Sequence, residues 1–294
     1  MSKVVIIGID GFDPFLLNKW REILPNFSQL YNDMSEIMIE STFPPDSICA
    51  WASIYTGKNP AEHGLIESID YLSSKKHESH QNRSDNFKGL TFWDIVGKKG
   101  KKVCIINPFI AYPAWEINGI MVSGPVFEGG NISAYSEDIL TEYNFPPLGG
   151  IVDYPDEKEL NEFLIRTKDN TERLADVSFK IYKDNKLDLF FMTFLTLDRI
   201  KHFFWRFTDE EDVYYPGENP FKDVIKDFYQ IFDRIIGQFK DSLPEDTTLL
   251  VISDHGHRRR CVNCLNLNEI LRQEGEEEIK LKIPKVCLNR CSQN

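Results

Sequence analysis

The chain has 294 residues, of which 34 are Lys or Arg and 46 are Asp or Glu, so its formal net charge is −12 with the histidines neutral. That balance argues against a surface that coats nucleic acid or another polyanion. With 41% apolar and 13% aromatic residues along its length it can bury a sizeable core, which excludes wholesale disorder, and the length suits a single domain over 1–294 with an elaborated insertion. No apolar run approaches the roughly 20 residues needed to cross a bilayer. The start, Met1-Ser2-Lys3-Val4-Val5-Ile6-Ile7, runs into a strand pattern rather than a signal peptide. A soluble, cytoplasmic protein with no membrane partner is expected.

In chain order, Val4 to Ile9 is a continuous apolar run of the kind expected for a strand buried on both faces of a mainly parallel sheet. A proline-containing approach from Ser41 then turns into a short helix around Ser47. Ser73 to Asn86 is polar and reads as an exposed loop. Thr91 to Val96 and Lys102 to Asn107 read as a helix and a strand of the same sheet. The region from about Gly124 to Asp156 looks irregular and is the candidate insertion near the site. A helix over Thr171 to Lys183, a strand over Leu187 to Leu197, a helix over Pro220 to Leu243 and a strand over Thr248 to Ile252 complete the pattern. Alternating helices and buried strands predict a layered αβα domain, class α/β.

The six cysteines are too few for a disulfide-built scaffold, and Cys49 and Cys104 lie in apolar stretches as core thiols. Cys261-x-x-Cys264 and Cys287-x-x-x-Cys291 have a spacing reminiscent of four-thiolate zinc. The segment between them, Leu265 to Arg272, reads as a docked helix that would hold the two pairs apart, so no zinc site is expected there.

Each of the three buried strands is followed by an aspartate: Asp10, Asp198 and Asp254. In an open parallel sheet the carboxyl ends of the strands line the ligand crevice, so the three carboxylates converge there. Burying that much like charge costs several kcal/mol per ion, about what cations between them would offset. Asp198-x-x-x-His202 sets a carboxylate and an imidazole one helical turn apart on one face, and Asp254-His255 adds an adjacent pair. Mixed Asp and His ligation suits zinc or manganese. Ser47, at a helix start, sits in the positive end of the dipole, beside backbone N–H groups that can hold phosphate oxygens, although on position alone such a serine reads as the helix cap.

Four motifs in order, Gly8-Ile9-Asp10-Gly11, the stretch from Thr42 to Gly64, Asp198-x-x-x-His202 and Ser253-Asp254-His255-Gly256, resemble the alkaline phosphatase superfamily. Within it the chain looks most like the type I phosphodiesterase/nucleotide pyrophosphatase family. Thr91 to Ile95, Ile117 to Gly124 and Leu265 to Glu269 are similar to microbial members, so the likeness runs to about Gly275. The resemblance implies an alkaline phosphatase-like fold and a phosphoester hydrolase with two divalent metals, zinc or manganese, acting on a small phosphate ester or nucleotide. Ser47 matches the nucleophile, which shares one metal with Asp10, Asp254 and His255; Asp198 and His202 match ligands of the other.

The family's further histidine for that second metal lies well downstream of the Asp-His-Gly motif, whereas here His257 is the only histidine after His255. Two residues beyond His255 and followed by three arginines, it is not expected to reach the second metal. That site is accordingly expected to be weak and hydrolysis poor, as in a C-terminally truncated member or one completed by a partner. The family's phosphate-holding asparagine is replaced by Ala50. A sulfatase would need Pro and Arg after the nucleophile, and a phosphomutase a large inserted domain; neither pattern is present. A non-catalytic relative that binds a nucleotide or a partner, and a phosphomonoesterase or phosphonate hydrolase, are the remaining alternatives.

Overall fold

The computed structural model describes residues 3–33, 37–43, 45–65, 83–127 and 129–259. Six strands form one sheet: β1 (Lys3–Ile9), β2 (Val103–Ile106), β3 (Gly119–Ser123), β4 (Ser133–Tyr135), β5 (Leu189–Phe194) and β6 (Thr247–Ile252). Their spatial order is β4-β3-β2-β5-β1-β6, parallel throughout except for the antiparallel β3–β4 pair. The helices are α1 (Pro14–Lys19), α2 (Pro25–Asp33), α3 (Ser47–Thr56), α4 (Pro60–His63), α5 (Phe92–Lys98), α6 (Ile139–Glu142), α7 (Leu160–Asp184), α8 (Thr196–Thr208) and α9 (Val224–Ser242).

The two-residue alternation of the central strands sorts their side chains between two cores. Val5, Ile7 and Ile9 of β1, with Phe190, Met192 and Phe194 of β5, pack against α1, α2, α7, α8 and α9. Leu189 and Phe191 face the other way, onto Trp51 and Tyr55 of α3 and Trp93 of α5. This is the layered αβα arrangement that the sequence predicts.

Five expectations need correction. The apolar run at 187–197 is not one strand: β5 stops at Phe194 and α8 starts at Thr196, so Asp198 lies in the first turn of a helix. β6 is an edge strand rather than one buried on both faces, with Leu250 44% exposed among the described residues. The helix foreseen from Thr171 begins instead at Leu160, because Leu160, Phe163 and Thr167 carry its buried stripe back by three turns, and Phe163 packs on Phe203 and Phe204. The stretch at 124–156 is only partly irregular, since it contributes β4 and α6. Within the polar stretch of 73–86, residues 83–86 form a 3-10 turn.

One contact fixes how closely α3 approaches the sheet. Gly8, in the middle of the sheet, lies under Trp51, and a Cβ on Gly8 would come within 2.6 Å of the indole ring. Gly8→Ala is therefore expected to lower stability by about 1–3 kcal/mol through overpacking. Urea unfolding checks this, and a loss too small to measure would show that the ring gives way freely.

Candidate metal centre

The pairing register sets the carboxyl ends of β5, β1 and β6 level with one another: Ile9 is opposite Phe194, and Gly8 opposite Ile252. Asp10 continues β1 and donates its N–H to the Phe194 carbonyl at 2.8 Å. From there the chain is cross-linked to the loop after β6. Gly11 N–H donates to Asp254 Oδ1 at 3.0 Å and Phe12 N–H to Ser253 Oγ at 2.8 Å. Gly11 has φ +67°, and a Cβ there would fall 2.8 Å from Asp198 Oδ1, so only glycine lets the first turn of α8 close over this loop. Asp10, Asp198 and Asp254 thus converge at one edge of the sheet, as their positions in the sequence foretell.

Ser47, Asp10, Asp254 and His255 meet in one group. Ser47 opens α3 behind the N-cap Asp46, and its Oγ lies 2.9 Å from His255 Nε2 and 3.3 Å from Asp10 Oδ1. His255 Nε2 is 3.4 Å from Asp254 Oδ2 and 3.7 Å from Asp10 Oδ1. Its Nδ1 lies 2.7 Å from the Gly256 carbonyl. A carbonyl can only accept, so Nδ1 carries a hydrogen, and once Nε2 gives up its own the ring presents a lone pair there, the form a metal requires. The Trp51 indole donates to Asp10 Oδ2 at 2.8 Å, which leaves Oδ1 facing Ser47. Asp254 Oδ2 is buried and has no hydrogen-bond donor, although a buried carboxylate oxygen ordinarily finds one. An acceptor left bare beside an imidazole lone pair and a second carboxylate is the donor set a divalent cation fits.

Asp198 and His202 meet in a second group, with a third member that the sequence reading set aside. His202 Nε2 is 3.1 Å from Asp198 Oδ2, and His257 Nδ1 is 3.3 Å from Asp198 Oδ1. The ligand atoms of this trio, like those of Asp10, Asp254 and His255, lie within 4.8 Å of one another. The expectation that His257 cannot cross to Asp198 is thus overturned. The physical reason is Asp13. Its buried carboxylate caps α1 through Oδ1, accepting from the Phe15 and Leu16 N–H groups, while Oδ2 accepts from the His257 N–H at 2.9 Å and from Arg258 at 2.5 Å. A Cβ on Gly256 would lie 2.8 Å from that same oxygen, so the glycine admits the reversal. The imidazole then stacks on Trp205 at 5.1 Å and meets His202 edge-on at 4.8 Å.

The insertion reaches the neighbourhood of this group: Arg199, next to Asp198, donates to the Gly149 and Gly150 carbonyls at 2.7 Å each. His63, buried in the turn after α3, ties that turn together. Its Nδ1 accepts from Leu65 N–H at 3.2 Å, so Nε2 carries the hydrogen and donates to Ser53 at 3.0 Å. Cys49 and Cys104 are buried free thiols. Cys261, Cys264, Cys287, Cys291 and the helix expected at 265–272 lie outside the described residues, as do His77 and His80.

The electrostatics follow from crowding. Burial, reinforced by Asp254 and Asp198, holds the Asp10 carboxyl well above the usual range, and burial also raises Asp254. Asp198 goes the other way: burial opposes its charge, but hydrogen bonds from His202 and His257 overcome it and hold the carboxyl well below the usual range. Burial alone would lower His255, yet the carboxylates of Asp254, Asp10 and Asp198 push it up to about 9. Burial pushes His257 down to about 4. The fully buried Lys201, which donates to the Gly11 carbonyl, is lowered by burial to about 8 against the pull of four aspartates.

These shifts fix a sign. A histidine raised from 6.5 to about 9 contributes stability that is complete below pH 6.5 and is lost as pH climbs towards 9, and the raised Asp10 acts in the same sense. His257 and Lys201, both lowered, oppose this trend only slightly across the window, because the unfolded histidine finishes losing its proton just above 6.5 and the folded lysine begins to lose its own as pH nears 8. Metal-free protein is therefore expected to be about 1–2 kcal/mol less stable at pH 8 than at pH 6.5. Urea unfolding of chelator-treated protein at the two pH values measures it, and equal stability would contradict the charge arrangement.

Comparison with known proteins places the chain. Among curated proteins none matches. Among solved structures, a Bacteroides thetaiotaomicron chain from work on the metabolism of multiple glycosaminoglycans aligns at 12% identity with a TM-score of 0.42, over 87% of this chain and 61% of that one. This chain therefore spans less than two thirds of that structure's length. The model of the family described as type I phosphodiesterase / nucleotide pyrophosphatase matches residues 4–292. A match that leaves out only the first three and last two residues settles the family: the chain belongs to the type I phosphodiesterase/nucleotide pyrophosphatase family.

Proposed function

We propose that this protein is a metal-dependent phosphoester hydrolase in which Ser47 is the nucleophile and two divalent cations, zinc or manganese, are held by two sets of residues. Asp10, Asp254 and His255, with Ser47, would hold one; Asp198, His202 and His257 would hold the other. The observation that carries the reading is the convergence on Ser47 Oγ of His255 Nε2 at 2.9 Å and Asp10 Oδ1 at 3.3 Å, beside the bare Asp254 Oδ2. A serine that served only to cap its helix would have no need of that company; here the cap is Asp46.

When bound, the cations supply Lewis-acid stabilisation of charge on the phosphoryl oxygens and lower the pKa of a coordinated hydroxyl or water. The chain's own residues do the rest. Ser47 Oγ, released of its proton, forms a bond to phosphorus as the bond to the leaving oxygen breaks and takes its electron pair with it. Water then cleaves the phosphoserine ester and returns a hydroxyl to Ser47. The indole of Trp51 fixes which Asp10 oxygen faces the serine. Asp13 keeps His257 in register with Asp198 through the backbone. The substrate is a small phosphate ester or nucleotide. Among the described residues no helix is long and apolar enough to cross a membrane.

Ser47→Ala is expected to reduce hydrolysis of a chromogenic phosphodiester by more than about 100-fold while metal content and melting temperature stay near wild type. Chelation should silence the wild type, and zinc or manganese should restore it. Persistent activity in Ser47→Ala, or in prolonged excess chelator, would refute the mechanism.

His257→Ala tests the second set separately. Calorimetric titration of the metal-free protein is expected to show two sites in the wild type, and in the variant one site weakened by about 10-fold or more with the other unchanged. Identical titrations would remove His257 from the ligand set.

A further inference from the structure

We infer that Asp46 is a specificity-determining residue that makes the site discriminate against doubly charged phosphate monoesters relative to singly charged diesters. This rests on the proposed function, because it takes Ser47 as the attacking group. Asp46 stands at the N-cap of the ten-residue α3, one residue before Ser47, and its Oδ1 accepts the Ile48 N–H at 2.9 Å. Helix N-terminal N–H groups beside a nucleophile are where an equatorial phosphoryl oxygen is received. In this chain the donor that follows Ser47 already serves a carboxylate. A second observation shows that the pocket is built for a ligand: the buried Asp254 Oδ2, without a donor, lies 3.4 Å from His255 Nε2, which itself lies 2.9 Å from Ser47 Oγ.

A phosphoryl group that seats on Ser47 meets the Asp46 carboxylate in two ways. It competes for the Ile48 N–H, and it feels a fixed negative charge one residue from the attacked phosphorus. Repulsion scales with the ligand's charge. A monoester above its second pKa of roughly 6 carries nearly two charges, whereas a diester carries one, so the carboxylate weighs against the first more than the second. Serine or asparagine would cap the same N–H group without charge, which makes the carboxylate rather than the cap the discriminating element.

The test uses the metal-loaded full chain at pH 8. kcat/KM is measured for 4-nitrophenyl phosphate and for bis(4-nitrophenyl) phosphate in wild type, Asp46→Asn, Asp46→Ser and Asp46→Glu, with melting temperatures as a fold control. Both neutral variants are expected to raise the monoester-to-diester ratio by about 10-fold, and Asp46→Glu to keep it within about threefold. Calorimetry with inorganic phosphate, which needs no turnover, should show tighter binding in both neutral variants. An unchanged ratio together with unchanged phosphate affinity in metal-loaded protein overturns the role of Asp46 alone. Failure of the wild type to take up metal, or diester hydrolysis that survives Ser47→Ala, overturns instead the reading on which it rests.

Discussion

Mutual repulsion among three crowded carboxylates, Asp10 and Asp254 buried and Asp198 partly so, is the constraint around which the molecule is arranged. Asp10, Asp198 and Asp254 are brought together because β5, β1 and β6 are adjacent and end level, with the apolar faces of β1 and β5 covered on both sides. The hydrophobic effect thus forces an electrostatically unfavourable congregation. Each carboxylate is stabilised by a different local device: an indole for Asp10, a backbone N–H for Asp254, two imidazoles for Asp198. That asymmetry splits their proton affinities, with Asp10 held high and Asp198 held low.

The same congregation explains why large aromatic rings and glycines are interleaved at the edge of the sheet. Trp51 reaches Asp10 only because Gly8 leaves it room, and α8 brings in Asp198 only because Gly11 does. Packing and charge are set by the same few atoms. An ordinary core substitution at Gly8 would therefore disturb the carboxylate furthest from it in chemical character, the one that faces Ser47.

The sequence made the strands and their terminal aspartates legible, because buried parallel strands leave an uninterrupted apolar signature and a carboxylate at the end of one stands out. The Asp198/His202 pair is legible from helical spacing alone, even though the apolar run continues three residues past the end of β5. His257 was not. Its approach to Asp198 depends on a reversal at Gly256 held by Asp13, some 240 positions away in the chain, and Asp13 followed by Pro14 reads locally as nothing more than the cap of α1. Side-chain periodicity carries no information about such a long-range backbone tether. The edge position of β6 was hidden for a related reason: the run at 248–252 is as apolar as a central strand, and only the order of the sheet reveals its free flank.

The clamp between Asp13 and residues 256–258 also bears on the order in which the protein can be completed during synthesis. Val4 pairs with Leu189 and Thr248, and the loop that carries Asp10 is tied to Ser253, Asp254 and His257. β1 must therefore wait, unpaired, until β5 and β6 have been made, a topology of high contact order and slow closure. Both trios are unfinished until residues 254–257 have emerged, since each takes a member from that loop. Neither trio is consequently assembled until late in the life of the nascent chain, and the loop that carries Asp10 supplies by itself only one member of either.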